Sequence, residues 1–240
     1  DNTLVSGGYD GTVQIWNTSP NHKLFSSRRQ SVYRGHQGAV YAVSCSPAGG
    51  VIASAGLDKT VQIWNPTQLS KILSYHEHKG AIFALAWSPD GKKIASGGED
   101  HTVHVWNANS GQGLLNFQKH TSAIKTLAWS PDARYIASGS PDKSIHVWES
   151  KTGNIIASYR RHTDEVTSLA WSPDGKMIVT GSHDKTVHVW DPFTARTLMI
   201  YNEHGNIIKA VAWSPDQQQV ASGGGQEEDK SYAIKVWRMY

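Results

Sequence analysis

The chain has 240 residues, of which 10% are aromatic and 18% charged, with 10 Trp and 22 Gly; it is too aromatic and too sparsely charged for a disordered polymer and long enough to bury a core. A formal net charge of +3 falls far short of the dense basic stripe that grips nucleic acid or an anionic membrane. The single cysteine, Cys45, excludes an internal disulfide and a cysteine-built zinc site. No apolar run reaches the ~18 residues of a membrane span, and residues 1–10 carry no basic-then-apolar leader pattern, so a cytoplasmic location is the expectation.

Read in chain order, residues 1–35 supply the last three strands of a partial unit, with Ser6, Asp10 and Trp16 but no histidine ahead of them. A 42-residue period then takes over: His36, His78, His120, His162 and His204 recur at that step, as do Pro47, Pro89, Pro131, Pro173 and Pro215. Trp64, Trp106, Trp148 and Trp190 keep it too, while Trp16 and Trp237 are displaced by insertions of 6 and 5 residues. In the unit 78–119, residues 81–87 alternate in the period of a strand. Ser88-Pro89-Asp90-Gly91 reads as a type I turn. Residues 93–97 form a second strand, 98–101 a polar turn, 102–106 a third strand and 114–119 a fourth. Units 36–77, 120–161 and 162–203 follow the same plan, and 204–240 stops after its third strand.

Four short antiparallel strands every ~42 residues, with no helical period, predict an all-β propeller. A lone sheet cannot bury both faces; radial stacking of sheets does so. The strands add up to 5.5 blades in a single domain, 1–240, expected to be truncated at both ends and to belong to a six- or seven-bladed ring.

A histidine before the first strand, Ser or Thr in the second, Asp in the next turn and Trp closing the third is a pattern that resembles the WD40 repeat, over essentially the whole chain. Only Trp190-Asp191 spells the family's dipeptide. The near-copies 78–106, 120–148 and 162–190 resemble the WD40 arrays of bacterial multidomain proteins. The resemblance implies that His36/Ser54/Asp58/Trp64, His78/Ser96/Asp100/Trp106, His120/Ser138/Asp142/Trp148 and His162/Thr180/Asp184/Trp190 form buried chains from indole to hydroxyl to imidazole to carboxylate. A hydrolase reading fits poorly, because the set recurs, Thr once replaces Ser, and no Gly-x-Ser-x-Gly elbow occurs. In the last unit His204, Ser222 and Trp237 align, with Asp229 as the expected acid. His104, His146 and His188 also recur at 42 residues; one per blade, they stand too far apart to share the ~2 Å bonds of a zinc site and are assigned to packing between blades. No metal or cofactor is expected.

The family resemblance implies a non-enzymatic scaffold presenting one face to a protein or peptide partner, with neither nucleic acid nor membrane expected. The alternative is a sensory or regulatory domain of a larger signalling enzyme, a kinase or NTPase. In similar propellers the recognition positions lie three and five residues after the repeat His and one before the turn Asp. Mapped here, they give Tyr9 in the first unit, then Tyr41 and Leu57, Phe83 and Glu99, Lys125, Glu165 and His183, and Lys209. These residues vary between units whose surroundings are near-copies. Tyr41, Leu57 and Phe83 are expected to form an apolar patch, with Lys125 and Lys209 further round.

Overall fold

A computed structural model describes residues 3–18, 29–226 and 231–239; Asp229, the acid expected in the last unit, lies outside them. Six antiparallel sheets follow one another around a ring as blades 1–6. Blade 1 holds β1 (Thr3–Gly7), β2 (Val13–Asn17) and β3 (Arg29–Tyr33). Blade 2 holds β4 (Val40–Cys45), β5 (Ile52–Gly56), β6 (Val61–Asn65) and β7 (Ser70–Tyr75). Blade 3 holds β8 (Ile82–Trp87), β9 (Lys93–Gly98), β10 (Val103–Asn107) and β11 (Gly113–Phe117). Blade 4 holds β12 (Thr126–Trp129), β13 (Tyr135–Gly139), β14 (Ile145–Glu149) and β15 (Ile155–Tyr159). Blade 5 holds β16 (Val166–Trp171), β17 (Ile178–Ser182), β18 (Val187–Trp190) and β19 (Thr197–Tyr201). Blade 6 holds β20 (Ile208–Trp213), β21 (Gln219–Gln226) and β22 (Ser231–Arg238). The innermost strands β4, β8, β12, β16 and β20 neighbour one another in turn.

Local chemistry sets the strand ends. Gly91 N–H donates to Ser88 O at 2.8 Å, and Asp90 Oδ1 accepts from Ser88 Oγ at 2.6 Å and from Lys92 N–H at 3.0 Å, so the first turn is closed by its own side chains. Gly91 takes φ +68° there, which a glycine adopts without steric cost. The turn before β10 is closed by Asp100 Oδ1, which accepts from Thr102 Oγ1 at 2.8 Å.

The core lies between blades rather than within them. Val103 and Val105 of blade 3 cluster with Trp129, Ile136 and Trp148 of blade 4, and blades 2 and 4 meet their successors in the same way. Blades 1 to 5 each also lend the next blade a ring from the outermost strand. Tyr33 stacks on Trp64 at 4.3 Å, Tyr75 on Trp106 at 4.5 Å, Phe117 on Trp148 at 4.4 Å, and Tyr159 on Trp190 at 4.6 Å. Tyr201 and Trp237 lie further apart, at 5.4 Å. The outward faces of blades 1 and 6 are bare: Ile234 is 81% exposed, whereas its counterparts Val61, Val103, Ile145 and Val187 are fully buried, and Leu4 is 57% exposed against 0% for Ile94.

Candidate functional site

Two groups of residues from the sequence need placing: the histidine networks and the recognition positions. The register settles the first, because β9 pairs Ser96 with His104 on β10 while the turn before β8 brings in His78. His78 Nε2 lies 2.8 Å from Ser96 Oγ and Nδ1 2.9 Å from Asp100 Oδ2, and Trp106 Nε1 donates to the same Oγ at 3.2 Å. The His36 and His120 sets repeat this, with Trp64 and Trp148 donating to Ser54 and Ser138 at 3.1 and 3.2 Å.

Burial opposes ionisation of Asp58, yet the hydrogen bonds from His36 and from Gln37 N–H outweigh it and hold the carboxyl at about 2. Asp100, Asp142 and Asp184 lie below the usual carboxylate range by the same balance. An ionised Asp fixes the proton on histidine Nδ1, so Nε2 accepts from the serine, whose oxygen accepts from the indole. The distances are those of a catalytic triad, but each serine hydroxyl is fully buried and its lone pairs serve the indole, so it is closed to substrate.

Blade 5 departs from the expected chain. Thr180 Oγ1 reaches His162 Nε2 at 2.8 Å and lies 3.5 Å from His188 O, and the buried Trp190 Nε1 has no hydrogen-bond partner. The Thr hydroxyl cannot serve both histidine and indole in the stiff rotamer of a β-branched residue. In blade 6 His204 reaches Ser222 Oγ at 2.7 Å, yet Trp237 Nε1 is again unpartnered, in line with its looser stack on Tyr201.

His104, His146 and His188 sit at blade seams. Tyr75 and Tyr159, from the preceding blades, meet His104 and His188 Nδ1 at 2.9 and 2.8 Å. Phe117 has no hydroxyl to offer, and His146 Nδ1 turns to Ser158 Oγ at 2.8 Å. Burial, with the neighbouring His78, His120 or His162 adding to it, lowers all three to about 4. His78/Asp100/His104 and His162/Asp184/His188 place their ligand atoms within 4.8 Å of one another, a compactness the one-per-blade spacing did not suggest. Both nitrogens of His78 and His162 are already occupied, so an ion there would have to displace the network.

The recognition positions converge on the opposite end of the blades from the Ser-Pro turns. Strand pairing skips one residue at Tyr41, Phe83, Thr167 and Lys209: each is the extra residue of a β-bulge, which re-aims its side chain. A short backbone clamp holds each bulge. Leu57 N–H donates to Ala39 O and Glu99 N–H to Ala81 O, both at 2.8 Å, and His183 N–H to Glu165 O at 2.9 Å. Pro141 has no N–H to give, and in blade 4 strand β12 starts only at Thr126, without a bulge.

Across blades 1 to 4 these side chains touch in a row. Tyr9 meets Tyr41 edge-on at 6.0 Å, Tyr41 meets Phe83 at 5.2 Å, and Lys125 Nζ lies 3.8 Å over the Phe83 ring. Lys125 therefore caps the patch instead of standing beside it. Leu57 and Lys209 are exposed. Glu99 folds back to accept from Ala81 N–H at 3.1 Å, Glu165 and His183 lie 3.9 Å apart, and Thr167 turns inward to donate to Ile208 O at 2.6 Å. The row was legible as a set of positions, but the participation of Tyr9 was signalled only by its place before Asp10.

Residues 40–199, about two-thirds of the chain, match the family model of the Echinoderm microtubule-associated protein second beta-propeller. Residues 1–17 and 195–238 match that of the WD domain, G-beta repeat. No curated protein matches the chain. Propellers of this kind are generally non-enzymatic and typically serve as scaffolds for protein interaction. Six antiparallel blades, a histidine–hydroxyl–indole chain in blades 2 to 4 and family matches over most of the chain lead to one conclusion: the chain belongs to the WD40-repeat β-propeller family.

Proposed function

We propose that the chain is a scaffold that captures a protein or peptide on the face lined by the bulged residues, with Tyr9, Tyr41 and Phe83 as the anchoring rings and Leu57, Glu99, Lys125, Glu165, His183 and Lys209 around them. The observation that carries this reading is the continuous Tyr9–Tyr41–Phe83–Lys125 contact across four blades. Aromatic anchors rimmed by charge are the usual centre of a protein interface. Tyr41 and Phe83 stand on backbone already fixed by the bulges and the clamps, so little backbone freedom is lost there on binding.

The test is capture of bound protein by the immobilised chain. Tyr41→Ala with Phe83→Ala should keep the cooperative melt and lose the captured protein. Lys176→Glu, at the Ser-Pro-turn end of blade 5, should leave capture intact. Loss with Lys176→Glu and retention in the double variant would put the binding face at the other end of the ring.

A further inference from the structure

The innermost strand of blades 3 to 6 ends in a tryptophan: Trp87, Trp129, Trp171 and Trp213. Each donates its indole N–H to a backbone carbonyl of the preceding blade's innermost strand, at Ser44, Ala86, Ala128 and Ala170, over 3.1–3.2 Å. Trp87 clusters there with Ala53, Ile63, Val51 and Leu73 of blade 2. In blade 2 the same position is Cys45.

The matching residues of blade 1 are Thr3, Val5, Ile15 and Ser31, placed by register as Val51, Ala53, Ile63 and Leu73 are placed in blade 2. They line a cavity of about 500 Å³ that is open to solvent, with the exposed Cys45 and the buried Ile52 on its other wall. That volume lies within the range of small-molecule sites, roughly 300–1,000 Å³. Among the described residues its walls carry several hydroxyls and no charged side chain, and partial burial pushes the Cys45 thiol up, away from its anionic form. Four seams of this ring thus hold an indole against a floor that, among the described residues, the fifth presents open.

We propose that the foot of the seam between blades 1 and 2 is a binding site for a neutral, planar aromatic molecule of about indole size, seated where the other seams hold a tryptophan of the chain itself. The hydroxyls of Thr3, Ser31 and Ser46 are the groups available to meet a single polar atom on its rim. This site is separate from the bulge-lined face, and its test does not depend on that face.

The probe is indole, and the readout is Cys45, the only thiol in the chain. In the unaltered protein, indole should slow the reaction of Cys45 with an aromatic disulfide reagent in a saturable way, by about tenfold at ten times its dissociation constant. It should also raise the melting temperature. Cys45→Trp should place an indole where the other seams hold theirs, raise the melting temperature by itself and abolish the response to indole. An unchanged labelling rate at saturating indole would overturn the proposal, and so would a Cys45→Trp protein that still responds to it. The labelling result stands alone if that variant does not fold.

Discussion

Changing Thr180 to serine should stabilise the protein. A buried donor without a partner costs about 1–3 kcal/mol, and Trp190 Nε1 is such a donor, while Trp64, Trp106 and Trp148 reach a serine oxygen at 3.1–3.2 Å. Serine at 180 frees the hydroxyl to serve both His162 and the indole. Against this stands one buried methyl, about 0.8 kcal/mol of transfer, plus a small cavity term. The net expectation is a gain of about 1 kcal/mol, or roughly 2–4 °C in melting temperature for a chain of this size. The mirror change, Ser138→Thr, should cost about as much by orphaning Trp148. Urea unfolding followed by tryptophan fluorescence measures both, and the double variant should fall near the parent because the sites lie in different blades. If Thr180→Ser were destabilising while Ser138→Thr were neutral, the methyl and not the indole hydrogen bond would be governing the position, and the reasoning would fail.

Other expectations follow from the same geometry. His104, His146 and His188 are held at about 4 in the fold against about 6.5 unfolded; the unfolded chain therefore binds more protons between those values, and stability falls as pH drops from 6.5 to 4. A urea midpoint that stays flat across that window would contradict the burial argument. His120→Ala should lower stability by ~1–3 kcal/mol in chemical unfolding, since it strips Ser138 and Asp142 of their buried partner; a new hydrolytic deficit with no stability change would revive the enzyme reading. Trp129→Phe removes the N–H that reaches Ala86 O and should cost about 1–2 kcal/mol, read as a shift in the thermal midpoint. The bare Ile234 and Val236 face should make the 240-residue chain self-associate in sedimentation, and Ile234→Lys with Val236→Glu should reduce it.

Much of this was legible because the period is strict. Strand ends deduced from Trp106 or Pro89 fall within a residue or two of those observed, since each unit repeats the same alternation and the same turn. Spacing marked the histidine, hydroxyl and carboxylate as recurring together, and the resemblance to the WD40 repeat supplied their pairing, which is local to one blade. What could not be read depends on neighbours or on single rotamers. The alternation of 81–87 runs through Phe83 without a break, so nothing in it announces a bulge. Trp190 loses its acceptor through one methyl on Thr180. Cys45 was plainly visible as a cysteine, but what faces it comes from residues 14 to 42 positions earlier.

The rings lent across seams bear on how such an array can grow. Tyr75 closes over Trp106, so one repeat supplies the cover and the next supplies what is covered. A 42-residue duplication copies both halves together, cover and slot, and every new junction is matched when it is made. Whole repeats can then be gained or lost without any compensating change elsewhere, while a fractional duplication would leave an indole uncovered and the seam open to water. The step of the gene-level event and the step of the fold are tied by the placement of a single aromatic residue on the outermost strand.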